Sequence, residues 1–124
     1  MPASFDASKP IYRQLATQIY WRILREEWKP GEKLPSVRDT AVQFGVNPNT
    51  VSRTYNEMER DGVVETKRGQ GTFVTENKEV LLELRENLKQ EQISQFTKEM
   101  KEMGFSTEDI LSGVERYLKE EEND

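Results

Sequence analysis

The sequence predicts a mostly α-helical fold with one small β-hairpin: an N-terminal winged helix-turn-helix followed by a C-terminal helical dimerisation hairpin. Three observations predict it. Apolar residues recur at helical spacing in three segments of the first part of the chain, each stopped by a Pro-Gly, Gly or Asp-Gly signal. A basic, glycine-bearing turn flanked by β-branched and aromatic residues comes next. From residue 77 onward proline disappears, and Glu, Lys, Leu and Gln dominate.

The first helix opens at Pro10, a residue suited to a first turn, and carries Ile11, Leu15, Ile19 and Ile23 on one face, with Leu24 beside them. Lys29-Pro30-Gly31 ends it. Ser36 is a good N-cap for the second helix, with Asp39 as a looser capping-box acid. Val37, Ala41 and Phe44 face inward, and Gly45 supplies the stop. Asn47 then caps a third helix with Pro48 at its first position; Val51, Tyr55 and Met58 form the buried stripe, and Asp61-Gly62 closes it. Val63-Val64-Glu65, the turn Lys67 to Gly71, and Thr72-Phe73-Val74 read as a short hairpin. Helix, helix, short turn, helix, hairpin is the winged helix-turn-helix order, and it assigns residues 1–76 to that domain.

Residues 77–124 read as a helical dimerisation and effector region. Leu81, Leu84 and Leu88 keep 3-4 spacing, as do Ile93, Phe96, Met100 and Met103. The five-residue step from Leu88 to Ile93 breaks a continuous heptad seam and predicts a kink or a change of partner face near Lys89–Gln92. Ser106 with Asp109 and the Phe105/Ile110 staple start a last helix, whose apolar face is Ile110, Leu111, Val114, Tyr117 and Leu118. Two helices cannot bury these stripes alone. A second copy can, so a homodimer is expected, with a seam drawn from Leu81, Leu84, Leu88, Phe96, Met100, Ile110, Val114 and Tyr117.

Composition removes several chemistries. The 124 residues include no Cys and no His, which excludes disulfides, thiol catalysis, the commonest general base and the commonest metal ligand. No triad, metal cluster or phosphate loop is legible, so neither an enzyme nor a bound cofactor or metal is expected. No apolar run is long enough for a bilayer, and the first ten residues do not resemble a signal peptide; a cytoplasmic protein without a membrane partner is expected. Mean hydropathy is −0.87 and net charge −5. That acidity is uneven: residues 1–76 carry 11 basic and 10 acidic side chains, residues 77–124 carry 7 and 13. The negative charge sits on the part read as dimerising.

The candidate contacts to double-stranded DNA lie on the helix-turn-helix and the hairpin. Asn47, Asn49, Thr50, Ser52, Arg53 and Asn56 are the outward polar residues of the third helix and its cap, and no acid interrupts them. Asn pairs bidentately with adenine, Arg with guanine, and Ser or Thr with base or phosphate. Lys67, Arg68, Gly69, Gln70 and Gly71 form a tip whose backbone can approach a phosphate or enter a minor groove. Arg38 places a cation at a helix N-terminus, where Asp39 or a phosphate would compensate it. An ordinary three-helix core with a solvated polar face, or a winged-helix protein-interaction module with no DNA role, fits the same elements.

Four linked segments carry a resemblance: Pro10-Ile11-Tyr12; Lys29-Pro30-Gly31-Glu32-Lys33-Leu34-Pro35-Ser36-Val37-Arg38; Gly45-Val46-Asn47-Pro48-Asn49-Thr50-Val51; and Arg68-Gly69-Gln70-Gly71-Thr72-Phe73-Val74. Over residues 9–75 the chain resembles a GntR-type DNA-binding domain, and its short helical tail resembles the YtrA branch. The resemblance implies a dimeric bacterial transcription factor, commonly a repressor of a pseudo-palindromic operator, often beside ABC-transporter genes. It carries DNA contacts to Arg38, to Asn47 through Arg53, and to Arg68 through Gly71. Pro48 and Ser52 stand where many GntR domains have arginines, so the base-reading set differs here. A small-molecule effector, if one binds, is expected at the dimer seam near Phe96, Met100 or Tyr117; as plain core residues the same side chains need no ligand.

Overall fold

The computed structural model describes residues 5–123. Its elements run α1 (Ile11–Leu24), α2 (Val37–Phe44), α3 (Pro48–Arg60), β1 (Val64–Lys67), β2 (Gly71–Val74), α4 (Lys78–Glu102) and α5 (Thr107–Glu122). They form two units, Met1–Arg85 and Glu86–Asp124.

In the first unit α3 packs against both α1 and α2. Leu15, Ile19 and Ile23 are buried as their spacing predicts, and Ala16 and Tyr20 join them. Ile11 departs from the expectation: it is 46% exposed, although the first turn of α1 still meets α3 through the Tyr12 carbonyl. On α2 and α3 the expected stripes are buried except Val37, which is half-buried; Thr40 and Thr54 are buried with them. The Thr54 hydroxyl donates 2.8 Å to the Thr50 carbonyl, and Tyr55 occupies Thr40. Among the described residues no buried side-chain nitrogen or oxygen lacks a partner, as burial of polar groups requires.

The hairpin is longer than the sequence reading placed it. Antiparallel pairing runs Val64↔Val74, Glu65↔Phe73, Thr66↔Thr72 and Lys67↔Gly71, so Lys67 and Gly71 belong to the strands and the turn is Arg68-Gly69-Gln70. Strand Val63 instead precedes β1, and its carbonyl accepts from the Thr75 N–H. The loop after α1 pairs with the hairpin through a Lys33↔Phe73 bridge. The Gly31 N–H donates to the Val74 carbonyl at 2.9 Å, the Leu34 N–H to the Thr72 carbonyl at 2.8 Å, and the Val74 N–H to the Glu32 carbonyl at 2.9 Å.

Asn77 caps α4, its Oδ1 accepting from the Glu79 N–H at 3.0 Å. The Arg85 guanidinium donates to the Leu24 carbonyl at 3.1 Å, which ties the first turns of α4 to the end of α1. The helix is continuous to Glu102 through Lys89–Gln92, a stretch without proline or glycine, so the five-residue step in the apolar pattern is not a break in the helix. In the second unit Ser106 and Asp109 form a reciprocal capping box, with both bonds at 3.1 Å. Accepting the Ser106 backbone and hydroxyl bonds holds the Asp109 carboxyl below its usual range.

Candidate nucleic-acid interface

The turn between α2 and α3 is built from three residues in sequence. Gly45 adopts φ +68°, the left-handed conformation that ends α2, and the Val46 N–H returns 3.0 Å to the Ala41 carbonyl. Asn47 is extended, and its side-chain oxygen accepts from the Asn49 N–H at 2.7 Å. Pro48 occupies the first helical position, where its missing N–H is harmless. Asn47 therefore commits one lone pair of its Oδ1 to the cap and keeps its amide N–H groups for a ligand.

Tyr55 fixes the angle between the two helices. Its hydroxyl donates 2.7 Å to the Pro35 carbonyl and receives the Thr40 hydroxyl at 2.8 Å. Burial pushes the Tyr55 phenol up from its ordinary value. With Val51, Thr54, Tyr55 and Met58 turned in, Asn49, Ser52, Arg53 and Asn56 are exposed and Thr50 is half-buried. The first turn of α3 contains no acid.

Arg38 is exposed on the first turn of α2 and forms no ion pair with Asp39 among the described residues. The Asp39 N–H is instead the donor to the Ser36 cap at 3.1 Å.

At the wing, Arg68, Gly69 and Gln70 are exposed, and the Gln70 N–H closes the turn onto the Lys67 carbonyl at 2.8 Å. The Lys67 ammonium stands 4.6 Å from the centroid of the Phe73 ring. Gly71 has φ +123°, and a Cβ there would meet Lys33 Cε at 2.5 Å. Lys33 is thus part of the wing surface, a role hidden in sequence because it lies 34 positions before Lys67, in the segment leading out of α1.

A second group missed in sequence lies where α1 meets α3. The Thr54 hydroxyl also reaches the Tyr12 carbonyl at 3.1 Å. The Arg53 guanidinium carbon lies 3.9 Å from the centroid of the Tyr12 ring, and Arg13 Nε donates to the Tyr12 hydroxyl at 3.3 Å. A tyrosine flanked by an arginine at the start of an amphipathic helix carries no signal by itself; only the fold brings Arg53 to it.

Of the residues expected at a dimer seam, Phe96, Val114 and Tyr117 are exposed in the protomer. Leu81, Leu84, Leu88 and Met100 are half-buried, and Ile110 is only 6% exposed. Ile110 therefore supports the second unit from within. No described helix is long and apolar enough to cross a membrane.

Three helices with the third capped and polar on its outer face, followed by a basic-tipped hairpin, define a winged helix-turn-helix DNA-binding domain. Residues 11–74 match the family of bacterial regulatory proteins designated gntR, and the chain belongs to that family. It is 52% identical to the HTH-type transcriptional regulator YhcF of Bacillus subtilis, over 96% of this chain and 98% of that protein. It is 47% identical to the transcriptional repressor YtrA of the same organism, over 72% of this chain and 69% of that one. A solved GntR-family regulator from Listeria monocytogenes superposes with a TM-score of 0.83 at 36% identity, covering 90% of this chain and 98% of its own. The chain is a transcriptional regulator of the YtrA-like branch, carrying a DNA-binding helix-turn-helix.

Proposed function

We propose that the protein is a repressor that binds a pseudo-palindromic operator as a homodimer, with residues 1–76 reading DNA and residues 77–124 joining the two copies. The observation that carries the DNA surface is the acid-free N-terminal part of the outer face of α3, from Asn47 to Asn56, flanked by Arg38 on α2, which forms no ion pair among the described residues, and by Lys67 and Arg68 on the wing. The interface is Arg38, Asn47, Asn49, Thr50, Ser52, Arg53 and Asn56, with Lys67, Arg68, Gly69, Gln70 and Gly71 lying along the adjacent groove. The repressor named YtrA supports the sign of regulation.

The homodimer is supported by apolar side chains that the second unit leaves in water, among them Tyr117 at 67% and Leu111 at 66% exposure. Contiguous apolar surface of this kind marks association sites. Two-fold symmetry would then present two recognition helices to two half-sites. An effector would bind at that seam, near Phe96, Met100 or Tyr117, and the regulated genes would include a transporter operon. A cytoplasmic location follows from the DNA partner.

Selection of duplexes from a random pool at two salt concentrations tests the reading. Recovery of a palindrome, with affinity falling steeply as salt rises, is the expected result, because Lys and Arg contacts release counterions. Unselective recovery, or affinity indifferent to alanine at both Asn49 and Arg53, would favour the protein-interaction module instead.

A further inference from the structure

Arg53 and its neighbours on α3 are not equivalent. At about 100° per residue, Asn49 sits at the centre of the outer face, with Arg53 on its Thr54 side, Asn56 about as far on the other side, and Ser52 further round. Thr54 is the flank that meets α1, through its bond to the Tyr12 carbonyl. The Arg53 guanidinium turns toward that flank and stacks on the Tyr12 ring at 3.9 Å. Arg13, bonded to the Tyr12 hydroxyl, puts a second guanidinium on the same ring, its carbon 5.9 Å from the centroid. The first turn of α1 contains no acid; the carboxylate whose field reaches Arg13 is Glu57 on α3.

In a helix-turn-helix complex the centre of the recognition helix's outer face, toward its N-terminus, meets base edges on the groove floor. A guanidinium drawn off that centre to the α1 flank lies toward a wall of the groove, where the phosphates run. Stacking covers one face of the guanidinium and leaves its in-plane N–H donors free, the geometry that suits a phosphate fork. An arginine reading guanine must instead extend to the groove floor.

Resting on the DNA-binding reading above, we propose that Tyr12 is a positioning residue that holds Arg53, beside Arg13, as a phosphate anchor, and that sequence is read by Asn49, Ser52 and Asn56. Tyr12 contributes by restricting the rotamers of Arg53, so that fewer are lost on binding. Phosphate contacts set register without carrying sequence information.

The test uses the full chain and the duplex recovered by selection, with affinities measured over a range of salt and base preference re-selected for each variant. Arg53→Ala is expected to weaken binding about ten-fold on matched and mismatched duplexes alike, to lower the log–log salt slope by about 1.8, one phosphate for each protomer of the dimer, and to leave base preference unchanged. Tyr12→Leu is expected to lose about two- to five-fold, the scale of an exposed cation–π contact, again without a change of preference. Tyr12→Phe keeps the ring and should stay within about two-fold of the native chain. Should Tyr12→Leu melt early, Arg53→Lys reads the same contact: charge and salt slope persist, while the planar stack and its share of affinity are lost. A changed base preference in Arg53→Ala overturns the phosphate role. Native affinity in Tyr12→Leu, beside weakened Arg53→Ala, overturns the positioning role. If the native chain selects no duplex at all, the DNA-binding reading itself fails, an outcome separate from both.

Discussion

The Tyr20 hydroxyl donates a 2.7 Å hydrogen bond to the Asp61 carboxylate, joining the third turn of α1 to the residue that caps the C-terminus of α3. The two lie 41 positions apart in sequence. Asp61 thus stops the recognition helix and also fixes where that end sits against α1. Tyr20→Phe is expected to cost about 1 kcal/mol of stability, the net worth of one such bond, measured by urea unfolding.

The same contact gives an alkaline limit. Burial first, and Asp61 second, raise the Tyr20 phenol above its ordinary value, and burial raises Tyr55 as well. A group whose folded pKa is raised holds its full contribution below the unfolded value, here about 10, and loses it as pH climbs beyond. The urea midpoint should therefore fall above pH about 10, and the double variant Tyr20→Phe, Tyr55→Phe should flatten the fall. An unchanged slope in the double variant would assign the alkaline loss to other groups.

Gly45 tests the turn of the helix-turn-helix. Its φ of +68° is costly for any residue with a Cβ. Gly45→Ala is expected to destabilise the protein by about 1 kcal/mol, read as a lower melting temperature. A melting temperature equal to that of the native chain would mean the turn relaxes without penalty.

Gly71 tests the wing. At φ +123° an alanine is strained, whereas the clash with Lys33 Cε is relieved by movement of a flexible side chain. Gly71→Ala should cost about 1 kcal/mol and weaken DNA binding, with Lys33→Ala weakening binding without the stability loss. Equal stability losses in the two variants would place the effect in packing rather than backbone strain.

Charge placed on the exposed face of the second unit tests association. Phe96→Glu and Tyr117→Glu should each raise the dimer dissociation constant by about ten-fold or more, seen by sedimentation at micromolar concentration. A native chain that sediments as a monomer there would remove the homodimer and, with it, the two-half-site operator.

Most of the first unit was legible because its signals are local. Ser36, Gly45, Asn47 and Pro48 act within four residues of themselves, and the structure places each at the cap or stop expected of it. The exposure of Ile11 was not legible, because helical spacing groups residues on one face without saying which of them a neighbouring helix covers. Of the two readings of the step near Lys89–Gln92, a kink or a change of partner face, the change of face is the one that needs no distortion of a continuous α4. A continuous helix can carry two stripes on two faces, and the backbone records neither. Lys33 and Tyr12 were out of reach for another reason: their partners, Gly71 and Arg53, come from distant positions brought alongside by pairing and packing.

The strand-like pairing of the loop after α1 has a mechanical consequence. A two-stranded hairpin is marginal alone, and here backbone bonds from Gly31 to Leu34 stitch it to the segment leading out of α1. The wing is therefore a lever with its fulcrum clamped: swinging it would break three backbone bonds or drag the loop along. A displacement of the segment from Gly31 to Leu34 would carry the hairpin with it, since the same three bonds hold both.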